Sequence, residues 1–274
     1  VPLKEAEAYF RAKGYDDKVR LIAHRKKDYL TLYRLEDHLD YHHGYMVPST
    51  GYLRWFGLST VENAEGGFTL HFPRRQHPTE LLPPPQYPML LSAFRQYGHW
   101  LERLGIDSVG ALNDAIIQGR IVELILVSEA LHEQHIARIA SQIVAHKDRL
   151  RIILVSGPSS SGKTTFSKRL SIQLLAQGVS PLAVEMDNYF VNREDTPRDE
   201  EGNLDFEAFE ALDRQQLHSD LSCLIKGETV RMPRFNFQLG VREPGDYVKL
   251  ETGQMIILEA VSYTHLTLPT IYSV

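Results

Sequence analysis

The segment ILVSGPSSSGKTTFSKRL, residues 153–170, constrains the fold more than any other stretch of the chain. A β-branched apolar run, typical of a buried strand, leads into a loop rich in glycine and serine. The loop fits the pattern G-x-x-x-x-G-K-[ST] at every fixed position. A helix follows it, and Gly178 is placed to end that helix. This order of strand, loop and helix predicts a parallel α/β domain that binds a nucleotide.

Each fixed residue of the loop has a physical role in holding phosphate. Gly157 and Gly162 let the backbone turn tightly and approach phosphate oxygens without a Cβ. The loop amides and the positive end of the helix form a nest for anions. Lys163 reaches the β- and γ-phosphates and Thr164 ligates Mg²⁺, so ATP and Mg²⁺ are the expected cofactors. The predicted ATP-binding residues are Gly157, Pro158, Ser159, Ser160, Ser161, Gly162, Lys163, Thr164 and Thr165.

The 274 residues are enough for two modest domains. Residues 1–80 predict an α+β domain with a short helix ending at Gly14 and strands over Val19–Ala23, Tyr29–Arg34 and Phe68–Phe72. Residues 81–148 predict a proline-rich linker and a helical connector, because the apolar spacing turns helical after Met89. Residues 149–260 predict the first half of a P-loop parallel α/β sheet, with strands at RIILVS, PLAVEMD and QMIILE.

The composition of the chain limits which binding partners and which cellular compartment we expect for it. A formal net charge of -5 disfavours a general nucleic-acid binder, which usually shows a basic face. A single cysteine, Cys223, fits a reducing, cytoplasmic setting. No apolar run approaches the roughly 20 residues that a membrane span needs. We expect a protein with a small-molecule substrate and no membrane partner; an oligomer is compatible with the sequence.

Asp187 ends the second predicted strand of the P-loop domain. An acidic residue at the carboxyl end of a parallel strand lies beside the crevice where ligands bind. Such a carboxylate can accept a proton from an attacking hydroxyl or hold Mg²⁺ through water. The alternative is an aspartate that only begins the next turn.

Five motifs occur together in one order: GPSSSGKTTFSKRL, MDNYF, NLDFEAFEALD, MPRFNFQLGVRE and MIILE. Over about Arg151 to Glu259 the chain resembles the uridine kinase/phosphoribulokinase family. The resemblance implies a P-loop kinase that transfers the γ-phosphate of ATP to the 5′-hydroxyl of a nucleoside.

The resemblance also implies roles for single residues. Asp187 corresponds to the base that activates the hydroxyl, and Glu259 to an acidic group that helps Thr164 hold Mg²⁺. Tyr189 and Asp205 correspond to residues beside the acceptor and its sugar. The structural alternatives are a packing role for Tyr189 and, for Asp205, the capping of a helix predicted over FEAFEALD.

The substrate loop of this chain departs from the family pattern. Phe235 and Gly240 stand where uridine kinases carry tyrosine and histidine, so a hydroxyl and an imidazole are missing from the predicted substrate-binding residues. Arg242 corresponds to a basic residue after this loop, or is an ordinary surface arginine. Discrimination of the base depends on such groups, so the sequence predicts transfer to a hydroxyl without fixing the acceptor.

The front of the chain carries a second resemblance. DHLDYHHGYMVPSTGYLRWFGL, residues 37–58, resembles the editing-type domain of threonyl-tRNA synthetases, most clearly at VPSTG. His42 and Met46 stand where the synthetases carry a cysteine and a histidine. Methionine is a poor substitute for an imidazole, so editing activity is not expected.

Residues 261–274, VSYTHLTLPTIYSV, show no continuity with the family motifs. VSYTHL is also what the end of a widely used sequencing transposon encodes in one frame. We therefore expect a non-native tail and a kinase part truncated at its C-terminus, without the arginine-bearing lid over the phosphates. The alternative is a genuine, divergent C-terminus. Little or no turnover is expected from such a chain.

Three other functions remain open from the sequence. They are a kinase for another hydroxyl metabolite, an ATP-dependent RNA-binding or sensing module, and a protein that binds ATP for a structural purpose.

Overall fold

The structure is a computed structural model that describes residues 1–60, 67–75, 77–83, 88–157, 160–199, 201–206 and 208–259. Contacts within the chain divide it into two compact units, Val1–Glu123 and Leu124–Val274. The domain boundaries predicted at residues 80, 148 and 260 stay predictions. The expected non-native tail, residues 261–274, lies outside the described residues.

Unit 1 combines helices with two small antiparallel hairpins. Its helices are α1 (Leu3–Ala12), α2 (Asp16–Ala23), α3 (Pro88–Arg103) and α4 (Val109–Ile117). Its hairpins pair β1 (Tyr33–Leu35) with β2 (His38–Asp40), and β3 (Gly57–Thr60) with β4 (Phe68–His71). Ala6, Phe10, Ile22 and Leu30 form its buried cluster. The α+β character predicted for this part of the chain is therefore present.

The strand predicted over Val19–Ala23 is wrong, because this segment is the second half of α2. Asp16 places negative charge in the first turn of the helix, where the helix dipole favours it. Ile22 turns inward and packs in the cluster around Phe10. Of the strand predicted over Tyr29–Arg34, Tyr33 and Arg34 pair in β1, and Tyr29 forms an isolated antiparallel bridge with Pro2. Tertiary burial thus outweighed the alternating pattern that predicted two strands.

Unit 2 is built on a parallel sheet. The sheet has the order β5 (Ile152–Val155), β9 (Met255–Glu259), β6 (Pro181–Glu185). Its helices are α5 (Ile121–Ala145), of which the first three residues belong to unit 1, α6 (Lys163–Ala176) and α7 (Arg214–Ile225). The predicted α/β class and the three predicted strands are confirmed. None of the helices in the described part of the chain is long and apolar enough to cross a membrane.

Strand β9 lies at the centre of the sheet and is buried on both faces. Met255 and Ile257 pack in a cluster with residues of α5 and α6. Ile256 and Leu258 point to the other face and pack in a cluster with residues of α7. The alternation follows from the two-residue period of a strand. An uncharged MIIL run is what a strand covered on both faces requires.

Strand register fixes where the site forms. Val155 of β5 and Glu185 of β6 both pair with Glu259 of β9. The three strands therefore end at the same edge of the sheet. The loop predicted to bind phosphate leaves this edge of the sheet after Val155, and Asp187 follows Glu185 by two residues.

An antiparallel hairpin that the sequence did not predict completes unit 2. It pairs β7 (Thr229–Asn236) with β8 (Val241–Lys249), with an irregularity between Arg231 and Pro233. The helix predicted over FEAFEALD is replaced by a short 3₁₀ turn, Phe209–Ala211. The next helix, α7, begins only at Arg214, where the Asp213 side chain accepts the N–H of Gln216. An aspartate in this capping position competes with a continuous helix.

Candidate active site

Gly157 and residues 160–162 are the described part of the loop between β5 and α6. Gly162 is the N-cap of α6 and has a φ of 88°, in the left-handed region that favours glycine. A Cβ on Gly157 would lie 3.0 Å from the Ser161 hydroxyl oxygen, so an added side chain would require this hydroxyl to move by a few tenths of an ångström. Ser160 also has a positive φ, of 58°. The predicted loop residues Pro158 and Ser159 lie outside the described residues.

Lys163 and Thr164 begin α6 at the end of this loop. The Lys163 ammonium donates to the Gly157 carbonyl oxygen at 2.9 Å, which folds the side chain back over the loop. The Thr164 hydroxyl donates to the Glu259 Oε1 atom at 2.5 Å, across 95 residues of sequence. A hydroxyl and a carboxylate are the oxygen ligands that Mg²⁺ prefers. The predicted metal ligands are therefore in contact, and their donor set fits Mg²⁺.

Asp187 lies at the same edge of the sheet, in the 3₁₀ turn Met186–Tyr189 after β6. Burial raises the pKa of its carboxyl group above the ordinary value. The negative charges of Glu185 and Glu259 raise this pKa further, while the Lys163 ammonium lowers it. A partly buried carboxylate whose pKa is raised in this way is a stronger base than an exposed one.

A cavity of about 540 Å³ opens beside the loop between β5 and α6. This volume is within the range of small-molecule sites. Its lining residues come from β5, the loop, α6 and, unexpectedly, α5: His132, Val155, Ser156, Ser161, Gly162, Lys163, Thr165 and Phe166. No signal in the sequence placed His132 at this site, because no motif in its own helix indicates contact with a loop that begins 25 residues later.

Tyr189 occupies the core rather than an open pocket. Its side chain is fully buried, and its hydroxyl donates to the Asp220 carboxylate at 3.1 Å. Burial raises the pKa of both groups above their ordinary values, first among the causes in each case. The structure thus gives Tyr189 the packing role that was the alternative in the sequence. A contact with the acceptor stays a prediction.

Asp205 and Arg242 both contact other protein groups. The Asp205 carboxylate accepts the N–H of Ala208 at 3.0 Å. This bond lies in a turn before the 3₁₀ turn Phe209–Ala211, which stands where the helix was predicted and has no side-chain cap. The Arg242 guanidinium donates to Asp213 at 2.9 Å. The pKa of Asp213 is lowered, first by the Gln216 N–H and then by Arg242. Substrate binding by Asp205 or Arg242 stays a prediction.

Phe235 belongs to a row of aromatic rings beside the turn that carries Asp187. It packs edge to face on Phe190 and Phe237, with centroids 5.8 and 5.1 Å away. Phe206 extends the row from the other side of Phe190. The Asn188 side-chain oxygen accepts the Phe235 N–H at 3.1 Å and ties β7 to that turn. Phe235 itself is buried, whereas Phe206 and Phe237 expose their rings.

Gly240 ends the turn between β7 and β8, and the structure explains why it has no side chain. Its φ is 71°, and a Cβ would lie 2.8 Å from the Arg193 Cβ and 2.7 Å from its Nε. Arg193 is held in this place by two bonds, from its backbone N–H to the Gly240 carbonyl and from its guanidinium to the Phe237 carbonyl. A side chain at Gly240, which the resemblance aligns with histidine, would therefore overlap Arg193.

This contact gives a prediction about stability. We expect Gly240→Ala to destabilise the protein by about 1–3 kcal/mol, because backbone strain and overlap with Arg193 add up. Chemical denaturation of the two proteins measures the difference. Gly227→Ala is the matched control, since Gly227 has a similar φ of 79° but nothing within 4 Å of an added Cβ. Equal losses in the two variants would show that Arg193 moves aside without cost.

The fold and this edge of the sheet define a P-loop-type α/β domain. Comparison with known proteins narrows the class: residues 152–265 match the Phosphoribulokinase / Uridine kinase family. The kinase part of the resemblance is thereby confirmed over those residues, which are less than half of the 274. The threonyl-tRNA-synthetase-like part, residues 37–58, lies before this match and stays a prediction.

Individual relatives agree with the family match. A uridine kinase of Ligilactobacillus salivarius is 32% identical over 110 residues, which are 40% of this chain and 50% of that protein. A uridine kinase of Halobacterium salinarum is 27% identical over 107 residues, which are 39% and 46%. The chain spans about half the length of the curated relatives it matches.

A solved structure described as a possible uridine kinase from Bacillus stearothermophilus is 27% identical. The match covers 47% of this chain and 70% of that one, with a TM-score of 0.41.

Proposed function

We propose that this protein transfers the γ-phosphate of MgATP to the 5′-hydroxyl of a nucleoside. The observation that carries the proposal is the convergence of four predicted residues at one sheet edge. Lys163 and Thr164 begin α6, Thr164 contacts Glu259, and the charges of Glu259 and Lys163 act on Asp187. The uridine kinase relatives support a nucleoside as the acceptor.

Binding of the nucleotide would rest on the loop and on α6. The N–H groups at the start of this 14-residue helix, together with the Lys163 ammonium, provide positive charge for the phosphates. Thr164 and Glu259 would hold Mg²⁺, which neutralises charge on the β- and γ-phosphate oxygens when bound. In the present hydrogen bond the Thr164 hydroxyl donates its proton to Glu259, so the lone pairs of its oxygen are the ones that would bind the metal.

Asp187 would serve as the general base. Its carboxylate accepts the proton of the acceptor hydroxyl as that oxygen bonds to the γ-phosphorus. The bond from the γ-phosphorus to the bridging oxygen breaks, and its electron pair leaves with ADP. The products are ADP, a nucleoside 5′-monophosphate and the proton on Asp187.

A single-turnover assay tests the proposal directly, because it detects one phosphoryl transfer even where little or no repeated turnover is expected. The protein, in excess over ATP labelled at the γ-phosphate, is mixed with Mg²⁺ and one candidate acceptor from a panel of nucleosides and sugars. Label recovered in a nucleoside 5′-monophosphate is the expected result. Label recovered only in a sugar phosphate would instead favour a kinase for another hydroxyl metabolite.

The non-catalytic alternative has its own signature. An RNA-binding or sensing module would shift tRNA in a salt-dependent manner and would transfer no label to any acceptor. MgATP binding without transfer to any compound of the panel would contradict the kinase proposal.

Lys163→Ala tests the nucleotide site itself. We expect MgATP affinity to fall roughly 10- to 100-fold, because a charge-assisted contact to phosphate is lost. Isothermal titration calorimetry measures the affinity. Lys168→Ala on the exposed face of the same helix is the control and should bind as the unchanged protein does. Equal affinity of the Lys163→Ala variant would show that the loop does not hold the phosphates.

A further inference from the structure

We infer that His132 of α5 contacts the nucleoside part of the nucleotide, and that Arg169 positions it. The inference rests on the proposed function, because it concerns the same nucleotide site. It extends that site to a helix that ends before the family match begins at residue 152. Part of the nucleotide would thus be bound by a residue that lies outside the segment matching the family.

The first observation is the place of His132 on the cavity wall. Its side chain lines the 540 Å³ cavity together with the loop, Thr165 and Phe166. Phosphates bind at the N-terminal tip of a helix, where the N–H groups are unpaired. Arg169, which contacts His132, lies one turn further along α6 than Thr165 and Phe166, about 6 Å from Thr165 along the helix axis. The imidazole therefore borders the part of the cavity beyond the phosphates, where a nucleoside would lie.

The second observation is that hydrogen bonds join α5 to α6 around Arg169. Glu129 and Glu133 of α5 both bind the Arg169 guanidinium, Glu129 at 3.0 Å. Gln173, one turn after Arg169, donates to Glu133 at 2.9 Å. The hydrogen bond from Arg169 holds the pKa of Glu133 below its ordinary value. These contacts fix the face of α5 on which His132 stands, between the two glutamates.

The third observation concerns the tautomer of His132. The Arg169 Nη1 atom lies 3.1 Å from the His132 Nδ1 atom. A guanidinium group only donates hydrogen bonds, so Nδ1 must accept, and the ring proton is on Nε2. The group that His132 can offer to the cavity is therefore an N–H donor. It suits a ribose hydroxyl oxygen or a ring nitrogen of the base.

Affinity measurements with three ligands test the inference: ATP, ADP and inorganic tripolyphosphate, each with Mg²⁺. We expect His132→Ala to weaken ATP and ADP binding about tenfold and to leave tripolyphosphate binding within twofold. His132→Gln should retain most of the affinity, because its amide can both accept from Arg169 and donate to the ligand. Thermal unfolding of each variant confirms that it is folded.

The control is His146→Ala, since His146 is on the exposed end of the same segment and does not line the cavity. It should bind all three ligands as the unchanged protein does. Equal loss of tripolyphosphate and ATP in His132→Ala would show a distorted loop and overturn the inference, as would unchanged ATP affinity. Absence of ATP binding by the unchanged protein would overturn the proposed function as well, so the two failures are distinguishable.

Discussion

Replacing Asp187 by asparagine is expected to slow phosphoryl transfer roughly 10²- to 10⁴-fold, the range that a general base contributes. Asparagine keeps the size of the side chain but cannot accept the hydroxyl proton. The single-turnover rate of label transfer measures the loss, and this assay detects chemistry even where steady-state turnover is slow. MgATP affinity should change little, because the phosphates are held by the loop and Lys163.

The pH dependence of the rate gives a second readout on Asp187. Its carboxyl pKa is raised by burial and by neighbouring carboxylates, and the protonated form cannot act as a base. The rate should therefore fall as pH drops through this raised pKa and reach a plateau above it. The asparagine variant should lose this dependence. A rate that is the same in both proteins at every pH would rule out Asp187 as the base.

The free energy of unfolding of the Asp187→Asn variant shows whether this variant is correctly folded. A carboxyl group with a raised pKa in the folded protein favours the folded state at low pH, and this contribution is lost as pH rises through that pKa. Asparagine carries no charge to bury, so at neutral pH the variant should be at least as stable as the unchanged protein. A marked loss of stability would mean that the rate effect reports misfolding.

Ile256→Ala is expected to lower the free energy of unfolding by about 2–5 kcal/mol. Ile256 is fully buried on the central strand β9, where its side chain packs in the cluster that includes Leu217 and Tyr189. Truncation removes buried apolar surface and leaves a cavity between the sheet and the helix that covers it. Chemical denaturation followed by circular dichroism measures the change.

Ile172→Ala is the control for this substitution. Ile172 is on α6 and exposes 63% of its surface, so its truncation should cost within about 0.5 kcal/mol. Losses of similar size in both variants would contradict the central place of β9. Because β9 also ends in Glu259, a destabilised strand should in addition weaken the contact with Thr164.

Local sequence patterns were sufficient to predict the P-loop and the strands of the parallel sheet. Gly157, Gly162 and Lys163 have fixed spacing, and the apolar runs of β5 and β9 admit only a strand covered on both faces. The segment around Val19 shows the limit, because alternation over five residues fits a strand and a half-buried helix alike. Only packing against Phe10 decided between them.

The β7–β8 hairpin shows a second limit. Its arginines and prolines do not give a clear two-residue alternation, and its pairing depends on contacts such as Asn188 with Phe235, 47 residues apart. The sequence assigned this stretch to a substrate loop by resemblance alone. Whether it meets an acceptor is a matter for the single-turnover assay.

The sequence by itself determined the phosphate-binding loop, the parallel sheet and the identity of the residues at its edge, because these follow from short motifs and local periodicity. Only the tertiary structure decided which side chains meet. Thr164 and Glu259 come together because parallel strands end at one edge, and Arg193 fills the space beside Gly240 because the hairpin turns back on it. His132 lines the cavity beside the loop because α5 packs on α6. Such contacts join residues far apart in the chain, which no local pattern encodes.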